Sequence, residues 1–379
     1  MENPFVQNPF IVGKYLSDKY FCDREEETAF LRKQVENGRD VALISPRRIG
    51  KSGLIHHFFN QPDIKQRYYL FFVDIYATTS LGELVYLLGK AIYEQLKPHS
   101  TVWKERFFQT ISSLRFGAKL DPMSGFPTLD IGLGDIQAPV TTLDEIFSYL
   151  NEADKPCIVA IDEFQQIGEY PEKNTEALLR TKIQQCTKAQ FIYSGSKRHT
   201  MSLMFNSPSK PFYQSAINMD LRPIPIDRYS NFAKNLFLEK DKHIQQEVIE
   251  TVWKQYNGYT WFVQMMMNEL FALTNVGDTC GIEQIPEAEL NVIKTQENSY
   301  KELLSNLPPK QKQILQAIAK EGVACNITSS KFIKKYNLAS ASSVQAATKL
   351  LLKNDLVTQI DNTYRVYDFF FSKWLATMY

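Results

Sequence analysis

The sequence predicts an α/β core built on a parallel β-sheet, followed by a helical region and a C-terminal domain of three helices and a two-strand wing. Apolar runs without polar alternation predict the core, because strands of a parallel sheet are buried on both faces. Amphipathic helical stretches alternate with these runs, as in α/β domains. Pro308-Pro309 and a set of short helix signals mark off the last domain. The apolar runs lie at residues 41–44, 68–75, 156–161 and 189–193.

The first apolar run leads into a segment with the pattern of a phosphate-binding loop. The pattern G-x-x-x-x-G-K-[ST] is matched at its last three positions, with Ser45 in place of the first glycine. Backbone N–H groups of such a loop and of the following helix point at phosphates. Lys51 would reach the β- and γ-phosphates, and the Ser52 hydroxyl would bind Mg²⁺. The predicted nucleotide contacts are Ser45, Pro46, Arg47, Arg48, Ile49, Gly50, Lys51, Ser52 and Gly53.

Alternatives stay open at this loop. A surface loop with clustered basic residues would have the same composition. Arg47 and Arg48 could each pair with a phosphate or with an acid elsewhere in the fold, or only solubilise the loop.

The third apolar run ends in two carboxylates, Asp162 and Glu163. Acids at this position would hold Mg²⁺ through water (Asp162) and polarise the attacking water (Glu163). Glu163 and Lys51 are therefore the predicted catalytic residues. The alternative is an acidic N-cap for a helix near Phe164.

In order and spacing, these motifs resemble the archaeal-type ATPases within the STAND and AAA+-like P-loop NTPases, particularly their bacterial branch with an Arg-Arg pair in the loop. The chain departs from that pattern at Ser45 and at Thr260, where related proteins often have proline. The residues that carry the resemblance are 21–25, 46–52, 161–165, 194–196, 204–205, 211–213 and 364–368.

The resemblance implies a parallel sheet of the additional-strand type, with a helical lid and a C-terminal winged helix-turn-helix. It implies ATP and Mg²⁺ as ligands, and it places the loop at Asp23 and Arg24 near the adenine. It also implies a γ-phosphate sensor at the end of the fourth run, where Ser194 or Ser196 qualifies. An ordinary Ser-Gly turn is the alternative there.

The expected domains are the ATPase core at 1–225, the lid at 226–300 and the winged helix at 307–379. Asp23 is expected to cap a helix whose first turn holds Glu25, Glu26 and Glu27. Alternating apolar residues around a turn signal predict an exposed β-hairpin insertion near 114–136, with a disordered loop as the alternative.

The last domain is basic, with ten Lys or Arg side chains against four acidic ones between residues 307 and 379, a net charge of +6. A basic helix-turn-helix could bind DNA phosphates. Its third helix offers few side chains suited to base edges beyond Gln345 and Lys349. A protein partner is the alternative, because such domains in STAND-like proteins often act as interaction modules.

Composition and charge limit which partners and which cellular compartment are expected for this chain. The net charge of +1 gives no overall attraction to nucleic acid or membrane. Five scattered cysteines indicate reduced thiols rather than a disulfide framework or a zinc site. Neither a transmembrane-length apolar run nor a signal peptide is visible, so a cytoplasmic protein without membrane contact is expected.

Three functions compete. The leading hypothesis is an ATP-dependent molecular switch with slow hydrolysis, in which ATP binds between core and lid. A DNA-binding regulator with a structural or vestigial nucleotide site is the second, and Ser45 favours it. A kinase is the third, but a base beside Mg²⁺ favours water as the nucleophile.

Overall fold

The computed structural model describes residues 7–96, 117–120, 127–130 and 138–378. The chain divides into two compact units. Gly13–Ile224 forms the first, and residues 225–378 together with residues 7–12 form the second. The expected core of 1–225 thus needs a correction at its start, because residues 7–12 pack with the helical unit.

Aromatic packing explains why the beginning of the chain joins the second unit. Phe10 is fully buried, and its ring lies 5.5–6.4 Å from the rings of Phe232, Phe237 and Phe271. The Asn268 side chain also donates a 2.8 Å hydrogen bond to the Phe10 carbonyl. These partners lie more than 200 positions away in the sequence, so no local pattern predicts them.

Strands and helices alternate through the first unit, and helices dominate the second. The strands of the described residues are β1 (Val41–Ile44), β2 (Tyr69–Asp74), β3 (Gly117–Leu120), β4 (Pro127–Asp130), β5 (Cys157–Asp162), β6 (Ala189–Gly195), β7 (Ile217–Met219), β8 (His243–Ile244), β9 (Thr279–Cys280), β10 (Ala324–Cys325), β11 (Val357–Ile360) and β12 (Thr363–Val366). The α-helices there are α1 (Glu25–Glu36), α2 (Lys51–Asn60), α3 (Pro62–Arg67), α4 (Leu81–Leu96), α5 (Pro139–Glu152), α6 (Thr175–Gln185), α7 (Arg198–Asn206), α8 (Ile226–Leu238), α9 (Gln246–Gln255), α10 (Thr260–Leu273), α11 (Ile285–Ser305), α12 (Pro309–Glu321), α13 (Ser330–Lys335), α14 (Ala341–Lys353) and α15 (Phe369–Thr377).

The central sheet has five parallel strands in the order β2-β5-β6-β1-β7. Strand β6 lies between β1, which leads into the phosphate loop, and β5, which ends in the two acids. This is the additional-strand arrangement, and the predicted fold class is confirmed. All five strands run in the same direction, so the residues that follow β1, β5 and β6 meet at one edge.

Both faces of the sheet are covered, as the continuous apolar runs predict. On one face, Leu43 and Ala160 pack in a cluster with residues of α1, α2 and α3. On the other, Val159 and Tyr193 pack with residues of α4, α5, α6 and α7. Helix α2 therefore begins at the carboxyl edge of β1 and runs back along the sheet, which fixes the position of its first residues.

Strands β3 and β4 pair antiparallel, with Gly117 opposite Asp130 and Leu120 opposite Pro127. They fall inside the stretch 114–136 for which a hairpin is predicted. The turn between them and the flanks of that stretch lie outside the described residues.

The end of the second unit has the winged-helix architecture. Helices α12, α13 and α14 precede the antiparallel pair β11–β12, and the short strand β10 adds a third strand in the order β10-β12-β11. The Ser329 and Ser340 hydroxyls cap α13 and α14 by accepting hydrogen bonds from backbone N–H groups. The two-strand wing is thus confirmed, with one additional strand.

Helix α15 was not predicted from the sequence, and it ties the winged helix to the rest of the second unit. Phe369 and Phe370 pack against Phe262 of α10, with ring centroids 4.9 and 5.6 Å apart. Phe371 packs against Tyr300 of α11 at 5.0 Å. The winged helix and the preceding helices consequently share one aromatic core. Among the helices that the structure describes, none combines the length and the apolar character needed to cross a membrane.

Candidate nucleotide-binding site

The loop between β1 and α2 has the backbone of a phosphate-binding turn. Gly50 has φ of 102°, a left-handed conformation that favours glycine, and the next residue begins α2. Arg48 is also left-handed, with φ of 66°. Ile49 is buried and anchors the loop to the core, whereas Pro46 is half-buried. The N–H groups at the start of α2 lack partners within the helix, which makes this turn suited to an anion.

Lys51 is the first residue of α2, and its side chain is only 6% exposed. Its ammonium group donates hydrogen bonds to the carbonyls of Ser45 and Pro46, at 3.1 and 3.0 Å. Burial lowers the pKa of Lys51 below its usual value, and the negative charges of Glu163 and Asp162 offset part of this shift. The lysine therefore lies inside the loop, in the electrostatic field of the two acids.

Ser45 occupies the position of the missing first glycine and has a structural partner. Its hydroxyl is fully buried, accepts a 2.6 Å hydrogen bond from the Leu221 N–H and donates one of 3.0 Å to Asp220. The Ser45 side chain thus fastens the loop to the segment after β7. Asp220 was not found from the sequence, because it approaches the loop only through the pairing of β7 with β1.

Ser52 and Asp162, the two predicted Mg²⁺ ligands, lie side by side. The Ser52 hydroxyl is 2.5 Å from Asp162 Oδ2, and Asp162 Oδ1 accepts a 3.0 Å hydrogen bond from the Glu163 N–H. Asp162 is 5% exposed. A hydroxyl and a carboxylate oxygen converging at the end of a phosphate loop are the donors that Mg²⁺ prefers. These residues fit that ion.

Glu163 lies in a hydrogen-bonded network that connects β5, β6 and the phosphate loop. Its Oε2 accepts hydrogen bonds from Gln165 at 2.5 Å and from the Ser196 hydroxyl at 2.7 Å. The Ser196 hydroxyl in turn accepts one from Arg47 Nε at 3.2 Å. Glu163 has φ of 56°, a strained conformation of the kind that clusters at active sites.

The two sensor candidates on β6 have different surroundings. Ser194 pairs in register with Leu43 inside the sheet, is fully buried, and its hydroxyl has no hydrogen-bond partner among the described residues. Ser196 follows β6 and contacts the acid directly. Gly195 separates the two serines. A Cβ at this position would come within 2.5 Å of the Gln165 amide oxygen, so glycine allows the close approach of Gln165 to β6.

Two further groups near the acids were missed by sequence reasoning. Asp74 ends β2 and pairs in register with Asp162. Burial raises the pKa of Asp74, and the charges of Asp162 and Glu163 raise it further. His56 lies one turn after Ser52 with its ring 4.4 Å from that of Phe72, and burial lowers its pKa. A polar residue at the end of a buried strand was the available signal for Asp74.

The loop before α1 differs from the expectation. The helix begins at Glu25 and, as predicted, has three acids in its first turn, but Asp23 does not cap it. Asp23 and Arg24 are both left-handed, with φ of 58° and 80°. Arg24 therefore occupies the N-cap position in place of Asp23, and no side chain caps the helix there.

Arg24 instead acts as a buried link. It is 3% exposed, and it donates hydrogen bonds to Glu27 at 2.6 Å and to the Arg222 carbonyl at 2.8 Å. A longer contact of 3.4 Å reaches the Ile49 carbonyl in the phosphate loop. The loop at Asp23 thus lies against the phosphate loop. Gly53 faces this loop too, since a Cβ there would be 3.4 Å from the Phe21 ring.

Comparison with known families decides the broader assignment. The model of an ATPase domain predominantly from Archaea matches residues 21–266. The chain belongs to this ATPase family. A second model, for a probable winged helix domain, matches residues 298–377 of the same chain. Membership of the family supports nucleotide binding.

Solved structures share the fold of this chain at low sequence identity. The Walker-type ATPase PABY2304 of Pyrococcus abyssi has a TM-score of 0.67 at 20% identity, covering 97% of this chain and 99% of that one. The ORC2 protein of Aeropyrum pernix in ADPNP-ADP complexes has a TM-score of 0.57 at 13% identity, covering 97% of this chain and 95% of that one. The ORC1 protein of the same organism in complex with DNA has a TM-score of 0.52 at 10% identity, covering 94% of this chain and 92% of that one. No protein matches in the comparison with curated sequences.

Proposed function

We propose that this chain binds ATP, hydrolyses it slowly with Mg²⁺, and acts as a molecular switch on its winged-helix domain. The observation that supports this most is the convergence of Lys51, Ser52, Asp162 and Glu163 at the carboxyl edge of the sheet. A vestigial site would have no need of a buried lysine facing one buried and one half-buried acid, since burying a charged group costs free energy unless it serves a partner.

Each residue has a distinct role in this proposal. The backbone N–H groups of residues 47–53 bind the phosphates, and Lys51 exchanges its two carbonyl partners for β- and γ-phosphate oxygens, which are stronger acceptors. Ser52 and Asp162 hold Mg²⁺, which neutralises phosphate charge when bound. Glu163 orients the attacking water and accepts its proton. The loop at Asp23 and Arg24 borders the adenine.

Ser196 is the proposed γ-phosphate sensor, in preference to Ser194. Its hydroxyl joins the Glu163 carboxylate to Arg47 of the phosphate loop, so a phosphate that attracts Arg47 also changes the hydrogen bonds of Glu163. A ligand shifts an equilibrium only through contacts that differ between two states. The Arg47–Ser196–Glu163 chain supplies such a contact, because ATP and ADP differ by the γ-phosphate alone.

The winged helix would follow the nucleotide state through the second unit. Glu289 of α11 accepts hydrogen bonds from Tyr256 and Gln255 and pairs with Lys373 of α15, each at 2.5 Å. Together with the aromatic packing of α15, this cluster holds the winged helix to the preceding helices. A displacement of those helices on ATP binding would therefore carry the winged helix with it.

DNA is the second candidate for a partner, with a protein as the alternative. Lys331, Lys334, Lys349 and Lys353 are exposed and form no ion pair within the described chain. The DNA complex of the Aeropyrum pernix ORC1 protein, which shares the fold, also favours this candidate.

A Glu163→Gln variant tests the switch. Glutamine keeps the size of the side chain and can still accept from Ser196, so Mg-ATP should bind with unchanged affinity. Hydrolysis should fall by about 10²-fold or more, because the amide cannot take a proton. Asp162→Asn should lower both turnover and the dependence on Mg²⁺. Phosphate release and calorimetric titration measure these effects, and equal turnover in wild type and Glu163→Gln would refute the assigned base.

A further inference from the structure

A second concave site lies at the opposite edge of the same sheet. It has a volume of about 560 Å³ and is lined by residues at the amino ends of β1, β6 and β7, including Asp40, Ala189 and Ile217. The phosphate loop follows the carboxyl end of β1, at the other edge of the sheet. Sites for small molecules typically have about 300–1,000 Å³, so the volume suits a small ligand.

The lining is rich in hydrogen-bond donors that the fold does not use. The lining residues include two arginines (Arg39 and Arg180) and three glutamines (Gln184, Gln190 and Gln214). Within the described residues, none of these five side chains forms a hydrogen bond or an ion pair. Donors that the fold leaves to solvent around one cavity are available to a ligand that accepts hydrogen bonds, and a guanidinium fork matches a carboxylate or a phosphate.

Asp40, the one carboxylate among the lining residues, is already engaged by the sheet. Its two oxygens accept hydrogen bonds from the Phe191 N–H at 2.8 Å and from the Tyr193 hydroxyl at 3.0 Å. Burial raises the pKa of Asp40 to about 6, although these hydrogen bonds and the charge of Arg180 lower it. One acid thus faces two arginines, and the cavity is net positive.

We propose that this cavity, which we call the amino-edge pocket, binds a small oxyanion, either a phosphate compound or a polycarboxylate. The two arginines would clamp the anion, and the amides would complete its hydrogen bonds. No aromatic side chain is among the described residues that line the pocket, so a nucleobase would find no ring to stack on. This site is independent of the ATP site proposed above.

Calorimetric titration with pyrophosphate and with citrate tests the proposal and separates the two kinds of anion. At least one probe should bind the wild-type chain and the Lys51→Ala variant alike. The double variant Arg39→Gln/Arg180→Gln should lose at least about tenfold in affinity for that probe, because each guanidinium contributes charge-assisted hydrogen bonds. Its affinity for Mg-ATP should be unchanged. Arg67→Gln, which alters an exposed arginine paired with Glu36, is the matched control and should bind the probe like the wild type.

Asp40→Asn gives a result that misfolding cannot imitate. Removing the negative charge should tighten binding of the probe by about threefold or more. The proposal is overturned if neither probe binds at millimolar concentration, if binding is lost in Lys51→Ala, or if Arg67→Gln weakens it equally. It is also overturned if only an acidic peptide binds, since the pocket would then be a protein-docking surface.

Discussion

The Ser196 hydroxyl lies 2.7 Å from the Glu163 carboxylate, and Arg47 of the phosphate loop donates to the same hydroxyl. This contact exists because β6 is inserted between β1 and β5, which brings the ends of three strands together. One serine thereby links the loop proposed to bind phosphate with the acid proposed to activate water. The sensing and hydrolytic roles in the proposed function depend on this link.

Ser196→Ala should lower the turnover of ATP while leaving its binding nearly unchanged. The variant removes one hydrogen bond that Glu163 accepts and one hydrogen bond that Arg47 donates, so the acid is held less well. A net loss of 1–2 kcal/mol corresponds to a decrease in kcat of about tenfold. Steady-state phosphate release, combined with calorimetric titration of Mg-ATP, measures both quantities.

Ser194→Ala is the matched control for that prediction. The Ser194 hydroxyl is buried without a hydrogen-bond partner in the described structure, so its removal should leave kcat unchanged and cost no stability. Equal losses of kcat in the two variants would contradict the assignment of the sensor to Ser196.

Lys51→Ala should weaken Mg-ATP binding by about 10²-fold or more, since a buried lysine at the phosphates supplies charge-assisted hydrogen bonds. Folding should change little, because the two bonds that Lys51 makes are to loop carbonyls. Calorimetric titration is the measurement. Lys65→Ala, at an exposed lysine on α3, serves as the control, and similar affinity in both variants would remove Lys51 from the site.

Asp40 gives a prediction about pH. Burial raises its pKa from 3.8 to about 6 in the folded chain, so folding favours the protonated form. This stabilising contribution is complete below the pKa of Asp40 in the unfolded chain. It is lost as the pH rises through the pKa of Asp40 in the folded chain. Relative to Asp40→Asn, the wild type should lose about 2 kcal/mol of unfolding free energy between about pH 4.5 and about pH 7.5. Chemical denaturation of both proteins at the two pH values measures this, and a pH-independent difference would contradict it.

Local patterns predicted the sheet and the motifs, while contacts distant in sequence were beyond them. The strands ending at Ile44 and Asp162 were visible because a buried parallel strand is apolar throughout. The three-residue strand β7 is too short to produce such a signal, so the Ser45–Asp220 contact that it creates was missed. The prediction that Asp23 caps α1 was wrong for another reason. Two successive left-handed residues, Asp23 and Arg24, redirect the chain before α1.

The last prediction concerns DNA. If the winged helix binds it, the triple variant Lys331→Ala/Lys334→Ala/Lys353→Ala should bind random duplex more weakly. The slope of log affinity against log salt should become less steep by about three, because each phosphate contact releases counterions. Preference among sequences should change little, since Gln345 and Lys349, the side chains suited to base edges, are retained. Fluorescence anisotropy at several salt concentrations gives both slope and affinity.

The control for DNA binding carries the same change of net charge at exposed lysines outside the winged helix. Lys65→Ala/Lys173→Ala/Lys240→Ala should keep the slope of the wild type, because diffuse attraction to a chain of net charge +1 is weak. Equal slopes in the two triple variants would mean that the winged helix makes no phosphate contacts. An absence of measurable binding by the wild type near physiological salt, with and without ATP, would exclude DNA. A protein would then be the partner on which the nucleotide state acts, and the exposed lysines would be expected to contact acidic side chains of that protein.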